Sequence, residues 1–139
     1  MTTPMEIMAA CAKHLHDEGI GLWAPPPAPI PTGSLPPIVR KTLPSKPGTI
    51  IGVTVYDVED PDTGLLGRTF RIQVRCRTAS GPADTLAEEV RSALVTDHPE
   101  QWDTTVRVQR VTRLSTAPLG LDAAGLDEVT VNLGVLVVA

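Results

Sequence analysis

The sequence has few of the residues that dominate many recognition sites. Only four of its 139 residues are aromatic, and the formal net charge is −4. Stacking platforms for nucleic acid need aromatic side chains, and a phosphate-binding surface needs excess positive charge. Long apolar runs are also missing, and the first residues lack the basic and apolar parts of a signal peptide. We therefore expect a soluble, unexported protein with no membrane association and no global nucleic-acid surface.

Cysteine is equally scarce, with two residues in the chain. Cys11 falls in a helical pattern and Cys76 on the apolar side of a strand pattern, so two buried free thiols are favoured over a disulfide bridge. A chain of 139 residues can bury a core without a disulfide or a metal ion. The expected organisation is a single domain covering residues 1–139.

Residues 69–94 contain the clearest hydrophobic periodicity. Apolar and polar residues alternate from Phe70 to Arg77, which predicts a strand with one buried face. From Ala83 to Leu94 the apolar residues recur at steps of three and four, which predicts an amphipathic helix. Ser80 is the expected N-cap of this helix, because its hydroxyl can accept a hydrogen bond from the first helical N–H groups.

The rest of the pattern adds a second helix and three more strands. A capping box at Thr3–Glu6 begins a helix that Gly19 ends. Strands are predicted at 49–56, at 104–114 with a bulge near Gln109, and at 128–137, and turns are predicted at 57–67 and 118–125. The order α-β-β-α-β-β predicts an α+β fold: one four-stranded mixed or antiparallel sheet with two helices on one face.

Residues 24–47 contain nine of the fourteen prolines. This density predicts an extended proline-rich arm without regular structure, partly docked through Ile38 and Val39 and long enough to reach an adjacent subunit. The arm could instead be a peptide ligand of the PxxP type, although prolines alone satisfy that pattern often.

Neither a metal site nor a catalytic site is indicated. The acidic loop resembles a calcium loop, but Pro61 interrupts it and the position of the twelfth ligand is Arg68. Cys11 and His14 share a side of the first helix, but His16 points away, so zinc is disfavoured. Nucleotide-binding and hydrolase motifs are missing. We expect no metal, no cofactor and no catalytic residue.

Two charged groups are candidates for a subunit interface or a DNA-facing surface. The basic group lies on the second and third predicted strands and comprises Arg71, Arg75, Arg77, Arg107 and Arg113. The acidic group lies in the loop before the second strand and comprises Asp57, Glu59, Asp60 and Asp62. The arginine face has three interpretations: a solvated face, a protein interface completed by acidic loops of another subunit, or a surface that attracts DNA phosphates.

Several motifs follow one another in a specific order. They are Ile38-Val-Arg-Lys-Thr-Leu-Pro-Ser-Lys-Pro47, Ile51-Gly-Val-Thr-Val-Tyr56, the acidic loop, Arg71-Ile-Gln-Val-Arg-Cys-Arg77, Asp84-Thr-Leu-Ala-Glu-Glu-Val90, Pro118-Leu-Gly-Leu-Asp122 and Glu128-Val-Thr-Val-Asn132. Their order and spacing resemble the tail terminator, or minor capsid, proteins of long-tailed bacteriophages. That family has an R-x-Q-V-R-x-R strand before the helix and a P-L-G-x-D turn before a strand with a central Asn. Residues 24–35 depart from the family pattern.

The resemblance implies a structural role at the head–tail junction of the virion, after assembly in the host cytoplasm. Such proteins form a homo-oligomeric ring, usually a hexamer, that caps the major tail tube protein, stops tube growth and provides the docking surface for the head-completion or connector protein. DNA would pass through the lumen without sequence-specific binding, and no membrane is involved. The alternatives are a non-enzymatic adaptor that uses the proline-rich arm as a peptide ligand, and a small enzyme with an unrecognised site.

Overall fold

The computed structural model describes residues 2–60 and 67–138. The elements in chain order are α1 (Pro4–Asp17), β1 (Ile38–Arg40), β2 (Ile50–Glu59), β3 (Arg68–Thr78), α2 (Asp84–Leu94), β4 (Glu100–Gln101), β5 (Arg107–Val108), β6 (Arg110–Leu121) and β7 (Asp127–Val137). Within these residues no helix has the length and apolar character needed to cross a membrane.

The two helices begin in different ways. The hydroxyl of Thr3 accepts a hydrogen bond from the Glu6 N–H, as the capping box predicts, and Gly19 follows α1 with a left-handed φ of 76°. The predicted Ser80 cap of α2 is wrong, because Ala83 is the N-cap residue. A carboxylate from β7 takes over the role of the cap: Asp127 accepts the Ala83 N–H at 2.7 Å.

The main sheet has five strands, not the predicted four, in the order β1-β2-β3-β7-β6. All neighbouring pairs are antiparallel except β1 and β2. The additional strand β1 lies inside the segment predicted to lack regular structure. It forms because Ile38–Arg40 occupies a proline-free gap after Pro37 and contains two β-branched residues. The partial docking of Ile38 and Val39 is confirmed, since both are buried.

The predicted third strand is divided at Gln109. Residues before it form β5, which pairs with β4 in a separate two-stranded ribbon, and residues after it form β6. The predicted turn at 118–125 is too long, because β6 continues to Leu121. Pro118 is tolerated there, since β6 is an edge strand. The reversal is instead closed by Asp122, whose carboxylate accepts the N–H groups of Ala124 and Leu126 at 2.9 Å each.

The core lies between the helices and one face of the sheet. Strand residues alternate into it as predicted, and the β4–β5 ribbon adds Trp102, which is 1% exposed. Both cysteines are free and buried, as expected. Burial raises the pKa of each thiol, Cys11 and Cys76, to about 12. The sheet therefore has one apolar face under the helices and an opposite face, hereafter the far face, that contains the polar residues of β3.

Candidate functional site

The far face is built by the alternation of β3 and β7. Arg71, Gln73 and Arg75 of β3 lie beside Gly134, Asn132 and Thr130 of β7, respectively, in antiparallel register. Two hydrogen bonds continue one of these rows across three strands. Gln73 Nε2 donates to Asn132 Oδ1 at 3.2 Å, and Asn132 Nδ2 donates to Ser115 Oγ at 3.0 Å. This polar row contains no charge.

Arg77 belongs to the fold and not to an accessible surface. The residue is 6% exposed, and its guanidinium donates to three backbone carbonyls, those of Pro44, Pro47 and Gly48, at 2.6–2.9 Å. Nearby, Leu43 lies over Gly52 so closely that a Cβ atom there would come within 2.5 Å of it. The end of the proline-rich segment is therefore fixed on the far face, and an interface role for Arg77 stays a prediction that its burial within the subunit disfavours.

Arg75 forms an ion pair within the same chain. Its Nη2 lies 2.7 Å from Oε2 of Glu128, whose side chain is only 10% exposed. The Arg75 Nε is buried without a hydrogen-bond partner among the described residues. Glu128 was not among the candidate residues, because its partner could be identified only after β7 was placed next to β3.

The described acidic residues also pair within their own chain. The predicted turn at 57–67 begins too early, because β2 continues through Asp57 to Glu59. Glu59 accepts two hydrogen bonds from Arg71 at 2.6 and 2.9 Å and raises the pKa of that guanidinium, while Asp57 lies 3.7 Å from it. A hydrogen bond from Arg68 lowers the pKa of the Asp60 carboxyl. Asp62 lies outside the described residues. An interface role for these groups stays a prediction, and within one subunit Arg68 and Arg71 offset two of the three described acidic charges.

Arg107 and Arg113 do not join the far face. Arg107 is in the β4–β5 ribbon, paired in register with Gln101. Arg113 lies near α2: the pKa of Glu88 is lowered mainly by its hydrogen bond with Arg91, and the charge of Arg113 contributes. The five predicted arginines therefore form no continuous basic surface. On the far face the positive charges of Arg71 and Arg75 are offset by neighbouring carboxylates, which weakens any attraction for phosphate.

The potential zinc ligands of α1 have other partners. Cys11 is completely buried, His14 Nε2 lies 3.1 Å from the Ala93 carbonyl, and His16 Nδ1 accepts the Trp23 N–H. Among the residues that the structure describes, no group of three or more potential ligands could hold a metal ion.

The outer edge of β6 is an accessible feature of the sheet. β6 is the last strand, and all of residues 112–121 except Ala117 are exposed. Three of these are leucines, with exposed fractions of 42% for Leu114, 56% for Leu119 and 73% for Leu121. Sequence analysis missed this edge, because part of it was predicted to be a turn. Exposed backbone N–H and C=O groups along such a strand can pair with another chain.

The geometry thus offers an exposed strand edge in the described part of the chain, and the comparisons with known proteins identify the family. The sequence profile described as "Bacteriophage tail terminator protein" matches residues 14–138. The chain belongs to the bacteriophage tail terminator family. The family resemblance carried by the sequence motifs is confirmed, and this tail terminator is a structural component of the virion tail and not an enzyme.

The fold of the tail terminator has a counterpart among solved structures. A chain of the "Virion of native gene transfer agent (GTA) particle" is similar with a TM-score of 0.57 and 19% sequence identity. The similarity covers 73% of this chain and 78% of that chain. A comparison with curated protein sequences found no match.

Proposed function

We propose that the protein assembles as a hexameric ring on the last ring of tail tube subunits. The ring ends tube polymerisation and presents the surface on which the head connector docks. Membership of the tail terminator family supports this role. The six-fold symmetry of the ring follows from this capping role, since a cap that contacts every subunit of the tube ring beneath it repeats the symmetry of that ring.

The observation that carries the proposal is the open edge of β6. Monomeric proteins usually protect long edge strands by pairing, bulges, proline or charge. Here bulges lie at Arg113/Ser115 and Pro118/Gly120, and residues 115–117 between them have no further strand beside them among the described residues. The edge therefore permits pairing over a few residues and prevents continuous pairing along the whole strand. Such a limited edge suits a closed assembly of few copies.

The far face suits a ring through which DNA passes. A chain of this length has a radius of gyration of about 14 Å, and six such bodies in a ring leave a central hole about one subunit wide. Arg71 and Arg75 are paired with carboxylates of the same chain. If this face lines the lumen, DNA meets no excess positive charge and slides without being held.

An adaptor function is less well supported by the same contacts. A peptide ligand must be free to extend away from its own domain. Here Ile38–Arg40 is a strand of the sheet, and the carbonyls of Pro44 and Pro47 accept hydrogen bonds from Arg77.

The experiment adds purified protein to tail tubes that lack a terminator and images the tube ends by electron microscopy. We expect a six-fold ring on the tube end and no further growth when tube subunits are added. Tails assembled without the protein should have uncontrolled lengths or fail to join heads. A ring of another symmetry, or no binding at any concentration, would overturn the proposal.

A matched pair of variants tests the role of the edge. Leu114→Lys places a charge in the bulge at Arg113/Ser115, next to the open stretch of β6. Val138→Lys places one beyond the end of β7, on a residue of nearly equal exposure, 44% against 42%. Both variants should fold, because exposed positions tolerate such changes within about 0.5 kcal/mol. Only Leu114→Lys should reduce ring formation, and equal capping by both variants would remove the β6 edge from the proposal.

A further inference from the structure

Two apolar surfaces lie at opposite edges of the sheet and have no described occupant. We propose that, in the ring, the end of the β6–β7 hairpin of one subunit, residues 119–123, docks in a groove beside β1 of the next subunit. The occupant of the groove is thus a second copy of this chain. This inference rests on the proposed ring and identifies the contact that closes it.

The hairpin end presents apolar side chains to solvent. Leu121 is the most exposed large hydrophobic residue in the described chain, at 73%, and Leu119 follows at 56%. They lie next to Asp122, whose carboxylate holds the turn and is itself exposed. Exposed leucines rimmed by a charge are typical of a protein-binding patch.

The groove lies at the other edge and has a complementary surface. Its volume is about 440 Å³, and its lining includes Trp23, Ile30, Ile38 and Val39. Arg40 and Lys41 also line it. Neither forms an ion pair within the described residues, although Arg40 lies 5.7 Å from the centre of the Trp23 ring. An apolar groove with two basic groups fits the two leucines and Asp122 of the hairpin end.

The two surfaces lie at the same level along the strands of the sheet. One row of paired residues runs across all five strands through Ile38, Ile51, Cys76, Val129 and Pro118. The groove therefore lies at one end of this row and the hairpin end begins at the other. Five strands separate the edges by roughly 19 Å.

This placement has the geometry that a ring requires. A cyclic ring of more than two subunits is built from a head-to-tail contact between two different patches. The patches must lie on opposite sides of the subunit, so that each copy can bind one neighbour on each side. The hairpin end and the groove satisfy this condition without any change in the fold of the subunit.

A cysteine cross-link on capped tails tests the inference. Thr42 lines the groove and Ala123 lies in the hairpin end, and both are exposed. The double variant Thr42→Cys, Ala123→Cys is bound to tube ends and treated with a short bismaleimide. Each single variant serves as the control. Cys11 and Cys76 are buried and do not compete for the reagent.

We expect the double variant to give a ladder of covalent multimers up to the hexamer, and each single variant to stay monomeric under denaturing conditions. Capped tails without a ladder would overturn the inference while leaving the ring intact, and would assign the hairpin end to the tube or the connector. Failure of the wild-type protein to cap tails would overturn the ring and this contact together.

A second measurement does not depend on the cross-linker. Leu121→Asp should raise the protein concentration needed for half-maximal capping at least tenfold, because it places a carboxylate in the apolar groove. Tyr56→Asp is the control, since Tyr56 is 50% exposed and lies on β2, outside both surfaces. Equal capping by the two variants would also overturn the inference.

Discussion

Arg77 gives the sharpest stability prediction. Its guanidinium joins the sheet to the proline-rich segment through three carbonyl groups, those of Pro44, Pro47 and Gly48. Arg77→Met keeps most of the aliphatic stem in place and removes all the donors. Arg77→Lys keeps the charge but replaces the planar fork with a single ammonium group, which cannot reproduce the geometry of the three bonds.

The expected loss follows from the number and the surroundings of these bonds. A hydrogen bond from a charged donor contributes about 1.5–3 kcal/mol, and three would give about 4.5–9 kcal/mol if they were independent. They share one guanidinium, and Ser45, Lys46 and Pro47 are exposed, so water can reach the released carbonyls. We therefore expect Arg77→Met to lower the free energy of unfolding by about 3 kcal/mol, the upper end for single substitutions. Arg77→Lys should cost about half as much.

Urea unfolding followed by circular dichroism measures this difference. At this chain length about 3 kcal/mol corresponds to a fall in Tm of roughly 10 °C. Arg71→Gln is the control, because Arg71 makes its ion pairs on the surface, with side-chain exposures of 34% for Arg71 and 51% for Glu59. If Arg77→Met were as stable as Arg71→Gln, the proline-rich segment would not be held by Arg77 and the reasoning would fail.

Two further predictions concern the core. Val74→Asp buries an unpaired carboxylate at a completely buried position and should cost several kcal/mol of the 5–15 kcal/mol typical of a domain, so an unchanged thermal transition would contradict the described core. The thiols of Cys11 and Cys76, with pKa values raised from 9.0 to about 12, stay protonated in the folded state while the unfolded state loses both protons. The contribution of the two thiols to the free energy of unfolding is complete below pH 9.0. It is lost as the pH rises towards 12, by about 1.4 kcal/mol per pH unit for each thiol. The unfolding free energy of the double alanine variant should fall less steeply from pH 9.0 upward, as urea titrations at several pH values would show.

Local periodicity was sufficient for the elements that bury one face. The helices α1 and α2 and the strands β2, β3 and β7 follow from apolar spacing, because burial imposes a period of 3.6 or 2 on the sequence. Strand β1 was missed because a strand of three residues is too short to show a hydrophobic period. Its stability comes from pairing with β2, a contact between residues distant in sequence, as in Ile38 with Ile51.

The three arginines of β3 were predicted on the correct strand, but their surroundings could not be read from its alternation. The alternation of β3 put Arg71, Arg75 and Arg77 on one face, and sequence analysis treated them as equivalent. The structure separates them, since Arg77 is 6% exposed and Arg75 pairs with the nearly buried Glu128. One signal for Arg77 was present in the sequence. Prolines lack an N–H, so a proline-rich segment has more acceptors than donors and needs an external donor when it packs on the protein.

The uncharged row formed by Gln73, Asn132 and Ser115 has a consequence for how the strands find their partners. The apolar face of β7 is almost uniform, with valine or leucine at every second position. Sliding β7 by two residues along β3 would therefore exchange one aliphatic side chain for another and leave burial nearly unchanged. The polar groups do not tolerate this shift, since Asn132 would lose its hydrogen bond from Gln73 and Glu128 would move away from Arg75. Hydrophobic burial drives the strands together, and the opposite face selects the one alignment among several of similar apolar energy.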